Sequence, residues 1–156
     1  MLVVLDNTVL SNFAQARLAS IVLSLWQDQV GTTLEALSEY RAGTQAVGLF
    51  PSAWETLQIL ETAPSEKEFE ASLSARLGKG ERSCLAVTHM RNGLLATDDL
   101  LARKIAARYR ITTIGTVGIL VQCIHAKTLT QRQADRALTR MIEAGYRSPV
   151  RNLKGL

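Results

Sequence analysis

GLLATDDLLARKIA, residues 93–106, is the stretch on which the fold turns. Gly93 stops a preceding helical pattern, and Leu94 to Thr97 is a short apolar run with the look of a buried strand. Asp98 and Asp99 then open a helix that reads through Tyr109. The amino terminus repeats this grammar: Leu2 to Leu5 is continuously apolar and ends at Asp6. Strands that are apolar without alternation are buried on both faces, as in parallel sheets with helices on either side. In open α/β sheets, ligand chemistry lies beyond the carboxyl ends of the strands, so Asp6 and the Asp98–Asp99 pair are expected at one edge.

Working outward, Ser11 or Asn12 starts or continues a helix carrying Phe13, Leu18, Ile21, Val22 and Leu25. A strand at Gln29 to Thr32 precedes a helix over Leu34 to Ala42, closed by Gly43. Trp54 to Leu60 alternates loosely, as an edge strand does. Ser65, followed by the acidic Glu66 and Glu68, opens a helix to about Leu77. Gly78-Lys79-Gly80 is a loop before a helix from Glu81 to about Asn92. Ile111 to Ile114 gives a further strand, Gly115-Thr116 a turn and cap, and Val117 to Ala126 a helix. An amphipathic helix from Thr130 to Ala144 ends at Gly145. Strands alternating with helices predict an α/β domain with a mainly parallel central sheet and right-handed crossovers. No repeat, linker or low-complexity tract divides residues 1–156, so a single domain is expected.

Apolar residues make up 47% and charged residues 21% of the 156, an ordinary globular composition. Cys84 and Cys123 have apolar helical neighbours and read as buried free thiols, and no Cys/His spacing suggests zinc. MLVVLD meets an acid at position 6, unlike the basic start and long apolar centre of a signal peptide. Leu18 to Trp26 is too short to span a bilayer. A cytoplasmic protein with no membrane association is therefore expected. Charge is divided along the chain: residues 1–81 hold five Lys/Arg against ten Asp/Glu, and residues 82–156 hold thirteen against four. The second half carries the positive field, which suits either a polyanionic partner or a plainly basic surface.

Four stations place an acid where the carboxyl edge of the sheet can use it: Asp6, Glu39, Glu81 and Asp98/Asp99. Crowded carboxylates repel by several kcal/mol at a few ångströms and an effective dielectric of about 20. They need a counter-charge or must take up protons. A divalent cation is the simplest neutraliser, and all-oxygen ligands favour Mg²⁺ or Mn²⁺. Each acid also has a structural reading. Asp6 and Asp98 can cap helices, Asp99 can pair with Arg103, Glu81 suits a helix start, and Glu39 and Glu35 can be solvated helix residues. Spacing alone decides neither between Asp98 and Asp99 nor between Glu39 and Glu35.

Taken in order, VVLDNTVLSNF, LEALSEYRAG, LGKGERSCLAV and GLLATDDLLARKIA followed by TTIGTVGIL resemble the PIN-domain family, closest to its VapC-like toxin ribonucleases. The resemblance spans nearly the whole chain, although residues 45–64 depart from the tight VapC pattern. It implies a PIN-like three-layer α/β/α domain that uses Mg²⁺ or Mn²⁺ to hydrolyse single-stranded RNA. By position, Asp6 matches the first acid, Glu39 the second, Glu81 the third, and Asp98 or Asp99 the last. Asp6, Glu81, Asp98 and Asp99 are the metal ligands implied, with Thr97 and Asn7 in support. The resemblance also implies a homodimer and an antitoxin protein as partner.

An acidic site repels RNA unless cations surround it. Arg132, Arg136 and Arg140 recur every four residues in the last helix, opposite Ala134, Ala137, Leu138, Met141 and Ile142. Arg103 adds charge after the aspartates, and Arg147, Arg151 and Lys154 add it in the tail. These are candidate RNA contacts, or simply a solvated face. Aromatic residues are only 5%, which gives no base-stacking platform. His89 and His125 lack the partners of a zinc or triad site. The rival readings are a PIN-like module that only binds RNA or protein, and a phosphatase or DNase on the same acids.

Overall fold

The computed structural model describes residues 1–47 and 51–156. Five strands, β1 (Val3–Leu5), β2 (Val30–Thr32), β3 (Gln58–Ile59), β4 (Leu94–Ala96) and β5 (Thr112–Ile114), form one sheet in the order β3-β2-β1-β4-β5. Every pairing is parallel. Eight α-helices are described: α1 (Asn7–Gln15), α2 (Ala19–Trp26), α3 (Leu34–Val47), α4 (Pro64–Ser72), α5 (Lys79–Met90), α6 (Leu100–Arg108), α7 (Thr116–His125) and α8 (Gln131–Glu143). Among the described residues, no helix is long and apolar enough to cross a membrane.

The central strands β1 and β4 are apolar throughout because both of their faces are covered. Val3 and Leu5 point into one cluster, with Phe13 of α1, Val22 of α2, Ile119 of α7 and Leu138 of α8. Val4 and Leu95 point the other way, into a cluster with Leu85 of α5 and Ile105 of α6. Period-two alternation thus feeds two cores from one run of hydrophobic residues. The result is the expected three-layer α/β arrangement.

The helix from Ser11 or Asn12 is instead two helices, and the first begins earlier. Asp6 caps α1 by accepting the Val9 amide at 3.2 Å. The break comes at Arg17, in the left-handed region at φ 58°, with the Leu18 amide donating to the Phe13 carbonyl at 2.8 Å. No proline or glycine marks this turn, so periodicity runs straight across it. Gly43 does not close α3: its missing side chain faces open space, and a solvent-side glycine costs a helix only about 1 kcal/mol. α4 ends at Ser72, because Leu73 turns extended and both Leu73 and Leu77 are buried. Within the 45–64 stretch, residues 48–50 lie outside the described residues; the edge strand there is only Gln58–Ile59.

One further residue corrects the sequence picture. Ile142 sits at the exposed rim of α8 rather than in the core, while Ala134, Ala137, Leu138 and Met141 are buried as the periodicity predicts. His89 is satisfied by packing, stacked on Phe69 with ring centroids 4.5 Å apart. Trp54 is buried, and its indole N–H donates to the Leu10 carbonyl at 3.0 Å, tying the chain after α3 to α1. Trp54→Ala should cost about 3–5 kcal/mol. A denaturant titration checks this: the midpoint should fall while the slope is unchanged.

Candidate metal centre

α1 leaves β1 onto the first core face, and α6 leaves neighbouring β4 onto the second. Successive elements therefore diverge between these two strands, and a crevice opens at their carboxyl ends, the switch point at which α/β sheets place ligands. β1 and β4 are in register, Leu5 opposite Ala96, and the Asp6 amide donates to the Ala96 carbonyl at 3.0 Å. Asp6 and Thr97 are delivered to this crevice together.

Two threonines bind the aspartates into one group. Thr97 donates its hydroxyl to Asp6 Oδ2 and accepts the Asp99 amide at 3.1 Å. Thr8 donates to Asp6 Oδ1 at 2.5 Å and accepts the Asp98 amide at 3.0 Å. Asp98 Oδ1 accepts the Thr116 amide at 2.8 Å and the Tyr146 hydroxyl at 3.2 Å. Its Oδ2 accepts the Thr116 hydroxyl at 2.5 Å and the Asn12 amide at 3.1 Å. Asp99 caps α6, with Oδ1 accepting the Ala102 amide at 2.7 Å. Between the two adjacent aspartates, Asp98 is the one clamped by four donors from distant elements, and Asp99 is the cap.

Glu39 and Glu81 form a second group. Glu39 Oε1 accepts the Gly80 amide at 2.9 Å. A side chain at Gly80 would meet both the Glu39 carboxylate and the Ala36 backbone, so this glycine lets α3 and the start of α5 approach, while one at Gly78 would displace the Glu81 carboxylate. Glu35, one turn earlier, instead raises the pKa of Glu70, on α4, although burial is the larger cause there. Glu39 is thus the α3 acid that stands beside Glu81.

Burial is the main force on these carboxyls. It pushes Asp6, 1% exposed, up to about 7, with the nearby Asp98 charge adding to the rise. Hydrogen bonds from Thr8, Thr97 and the Val9 amide pull the other way. Glu81 is also raised, first by burial and then by Glu39 and Asp99, which links the second group to the first. Beneath them lies Cys84, whose thiol donates to the Leu5 carbonyl at 3.7 Å and is pushed up to about 12, chiefly by burial. Among the described residues, no guanidinium or ammonium lies within 4.0 Å of these carboxyls. Among the described residues, the only ion pair within 4.0 Å is Arg91–Glu66. Arg103 spends one N–H on the Thr97 carbonyl, at 3.0 Å.

The donor chemistry fits a hard divalent cation. All the groups are oxygens, Asp6 is buried without a cationic partner, and Glu81 Oε2 and Glu35 Oε2 are buried with no hydrogen-bond partner. Asp6, Asp98, Asp99 and Glu39 each accept from local donors, and Glu81 stands beside Glu39 and Asp99. Among the described residues, no three carboxylate, imidazole or thiol groups converge as a ready-made cage.

Thr97 lies at the centre, whereas Asn7 bonds Ser11 along α1 at 3.3 Å and Thr8 makes the bridge instead. Sequence reasoning also missed Asn12, Thr116 and Tyr146. Thr116 carried a signal as the cap after Gly115, but nothing local connects Tyr146 to an acid 48 residues earlier. Arg132, Arg136 and Arg140 are exposed on α8, and Arg103 is half-buried beside Asp98.

An α/β domain with an all-parallel sheet and acids at its switch point defines the class of molecule. A family model described as PIN domain matches residues 2–154, and the chain belongs to the PIN-domain family. PIN domains are generally nucleases and typically use divalent metals. No curated protein and no solved structure matches the chain.

The raised Asp6 pKa fixes the sign of a pH effect. Folded, this carboxyl keeps its proton up to about pH 7; with its ordinary value it would lose it near 3.8. The native state therefore holds the extra proton between those values, and stability falls as pH rises through that window. Asp6→Asn keeps a good helix cap but carries no charge. In chelator, thermal melts should show wild type losing stability relative to Asp6→Asn from pH 4 to 7, by an amount on the order of a few kcal/mol. Parallel pH profiles would exclude the shift.

Proposed function

We propose that this chain is an Mg²⁺- or Mn²⁺-dependent endoribonuclease that hydrolyses phosphodiester bonds of single-stranded RNA. The observation that carries this reading is the Asp6 carboxyl, buried at the switch point, hydrogen-bonded to Thr8 and Thr97, and without a cationic partner. A structural role alone gives poor reason for such a group, since a cap functions as well at the surface.

In this reading Asp6, Glu81, Asp98 and Asp99 hold the metal, and Glu39 completes the catalytic acids. The chemistry a divalent cation supplies is activation of water as a nucleophile and neutralisation of charge building on the phosphate. The protein's part is positioning. Thr97 and Thr8 fix both oxygens of Asp6, and Asn12, Thr116 and Tyr146 fix those of Asp98. Such outer partners hold ligands in orientation and commonly alter metal affinity or activity by about 10–100-fold when removed. Arg103, Arg132, Arg136 and Arg140 supply phosphate contacts.

The resemblance to VapC-like proteins supports finer proposals: a toxin of a toxin–antitoxin pair, acting as a cytoplasmic homodimer. A small antitoxin-like reading frame beside the gene is the observation to seek. A second reading, an RNA- or protein-binding module with weak catalysis, is favoured by Asp98, whose carboxylate already takes four protein donors.

Asp6→Asn should reduce Mn²⁺-dependent cleavage of single-stranded RNA by at least about 100-fold, with an unchanged circular dichroism spectrum. Tyr146→Phe should reduce it by about 10–100-fold and raise the Mn²⁺ requirement. Full activity in Asp6→Asn would remove the site from the account. Calorimetry showing no Mn²⁺ uptake by wild type would favour the binding module. A parallel assay on single-stranded DNA separates ribonuclease from DNase.

A further inference from the structure

Six of the ten arginines of the second half line three neighbouring hollows. A cleft of about 520 Å³ opens from Asp98 and is walled by Arg103, Tyr146 and Arg147. Tyr146 and Arg147 also wall a second hollow of about 430 Å³, which adds Ser148, Arg151 and Thr139. Thr139 is shared in turn with a shallow groove along α8, lined by Arg132, Arg136 and Arg140. Neighbouring hollows therefore share lining residues, which places the three in series. The route runs from the acids, over the segment after α8, and onto α8 itself.

Its chemistry is one-sided. Among the described residues, none of these six arginines lies within 4.0 Å of a carboxylate. Two acids besides Asp98 border the route. Asp135 is occupied, with Oδ1 accepting the Leu153 amide at 2.7 Å and Oδ2 accepting Gln131 at 3.0 Å. Glu143 lines the middle hollow and leaves the cationic excess intact. Arg132 to Arg140 alone covers about 12 Å of helix axis at 1.5 Å per residue. Unpaired guanidinium groups in series suit successive phosphates, which they can bind in bidentate fashion. Tyr146, whose hydroxyl is committed to Asp98, is the single aromatic ring lining these three hollows among the described residues, which is too few for a run of stacked bases. Such a surface grips a backbone while ignoring base identity.

We propose that these joined hollows form a track for the phosphate backbone of single-stranded RNA, entering at Arg103 and Arg147 and leaving along α8. The inference takes its ligand from the nuclease reading but is tested by binding. The enzyme then needs RNA that extends well beyond the bond to be cut, on the side of Tyr146, and its preference is for length over sequence.

The test uses fluorescence anisotropy on the full chain in EDTA, with labelled single-stranded polyuridylate of increasing length. Wild type should bind more tightly as length grows, up to a plateau. Arg147→Ala/Arg151→Ala and Arg136→Ala/Arg140→Ala alter exposed side chains, and thermal melts check that both variants fold. Each lost phosphate contact should flatten the slope of log affinity against log salt by about 0.7. Both variants should also lose most of the gain with length. Affinity independent of length in wild type, or wild-type slopes in both variants, overturns the track. So does stronger binding of polyglutamate than of RNA, which would assign the face to an acidic protein. Length-dependent binding by a wild type that cuts no RNA with Mn²⁺ would support the track while removing the nuclease reading.

Discussion

The parallel pairing of β1 with β4 determines where the charges of the site fall. With Leu5 opposite Ala96, the next residues on the two strands are Asp6 and Thr97, and their side chains meet across the strand gap. A shift of one residue would turn each strand's side chains to the opposite face, exchanging Val4 and Leu5 between cores. It would also part the hydroxyl from the carboxylate. The register is set by core packing: Val3 and Leu5 belong to one cluster and Val4 to the other. Hydrophobic alternation inside the sheet thus fixes polar geometry just outside it.

From that pairing follows the electrical character of the crevice. Burial disfavours charge on Asp6, three hydrogen bonds favour it, and Asp98 opposes it again. A carboxyl held between these tendencies changes state readily when a counter-charge arrives. The threonines connect the response. Thr8 touches Asp6 and the Asp98 amide, and Thr97 touches Asp6 and the Asp99 amide. A change at one acid is therefore felt at the backbone of the other two. Glu39 and Glu81 approach through a different device, the glycine at position 80 that lets α3 and α5 close.

The sequence announces those parts of the molecule that depend on local pattern. Leu2–Leu5 and Leu94–Thr97 read as buried strands because covering both faces removes all alternation, and the acids after them fall at the predicted edge. The Arg17 turn is illegible, because a left-handed arginine is stabilised by backbone hydrogen bonds that any residue supplies. Tyr146 is illegible for a different reason. Its meeting with Asp98 depends on how α8 and the following segment fold back, a tertiary outcome with no local trace. The choices between Asp98 and Asp99, and between Glu39 and Glu35, turn on side-chain direction. A helix presents residues four apart on the same face, so spacing leaves Glu35 and Glu39 equivalent until a neighbour distinguishes them, and the adjacent Asp98 and Asp99 both follow the same strand.

Cys84 gives this architecture an intrinsic reporter. Its sulfur lies under the carboxyl end of β1, in contact with Leu5 and Thr33, sealed from solvent and held as the unreactive thiol. Alkylating reagents reach it only when β1 and α5 separate, which is the motion that would also take apart the acid cluster above it. The rate of labelling at Cys84, resolved from that at the other buried thiol, Cys123, is therefore a clock for the opening of the site, built into the natural chain.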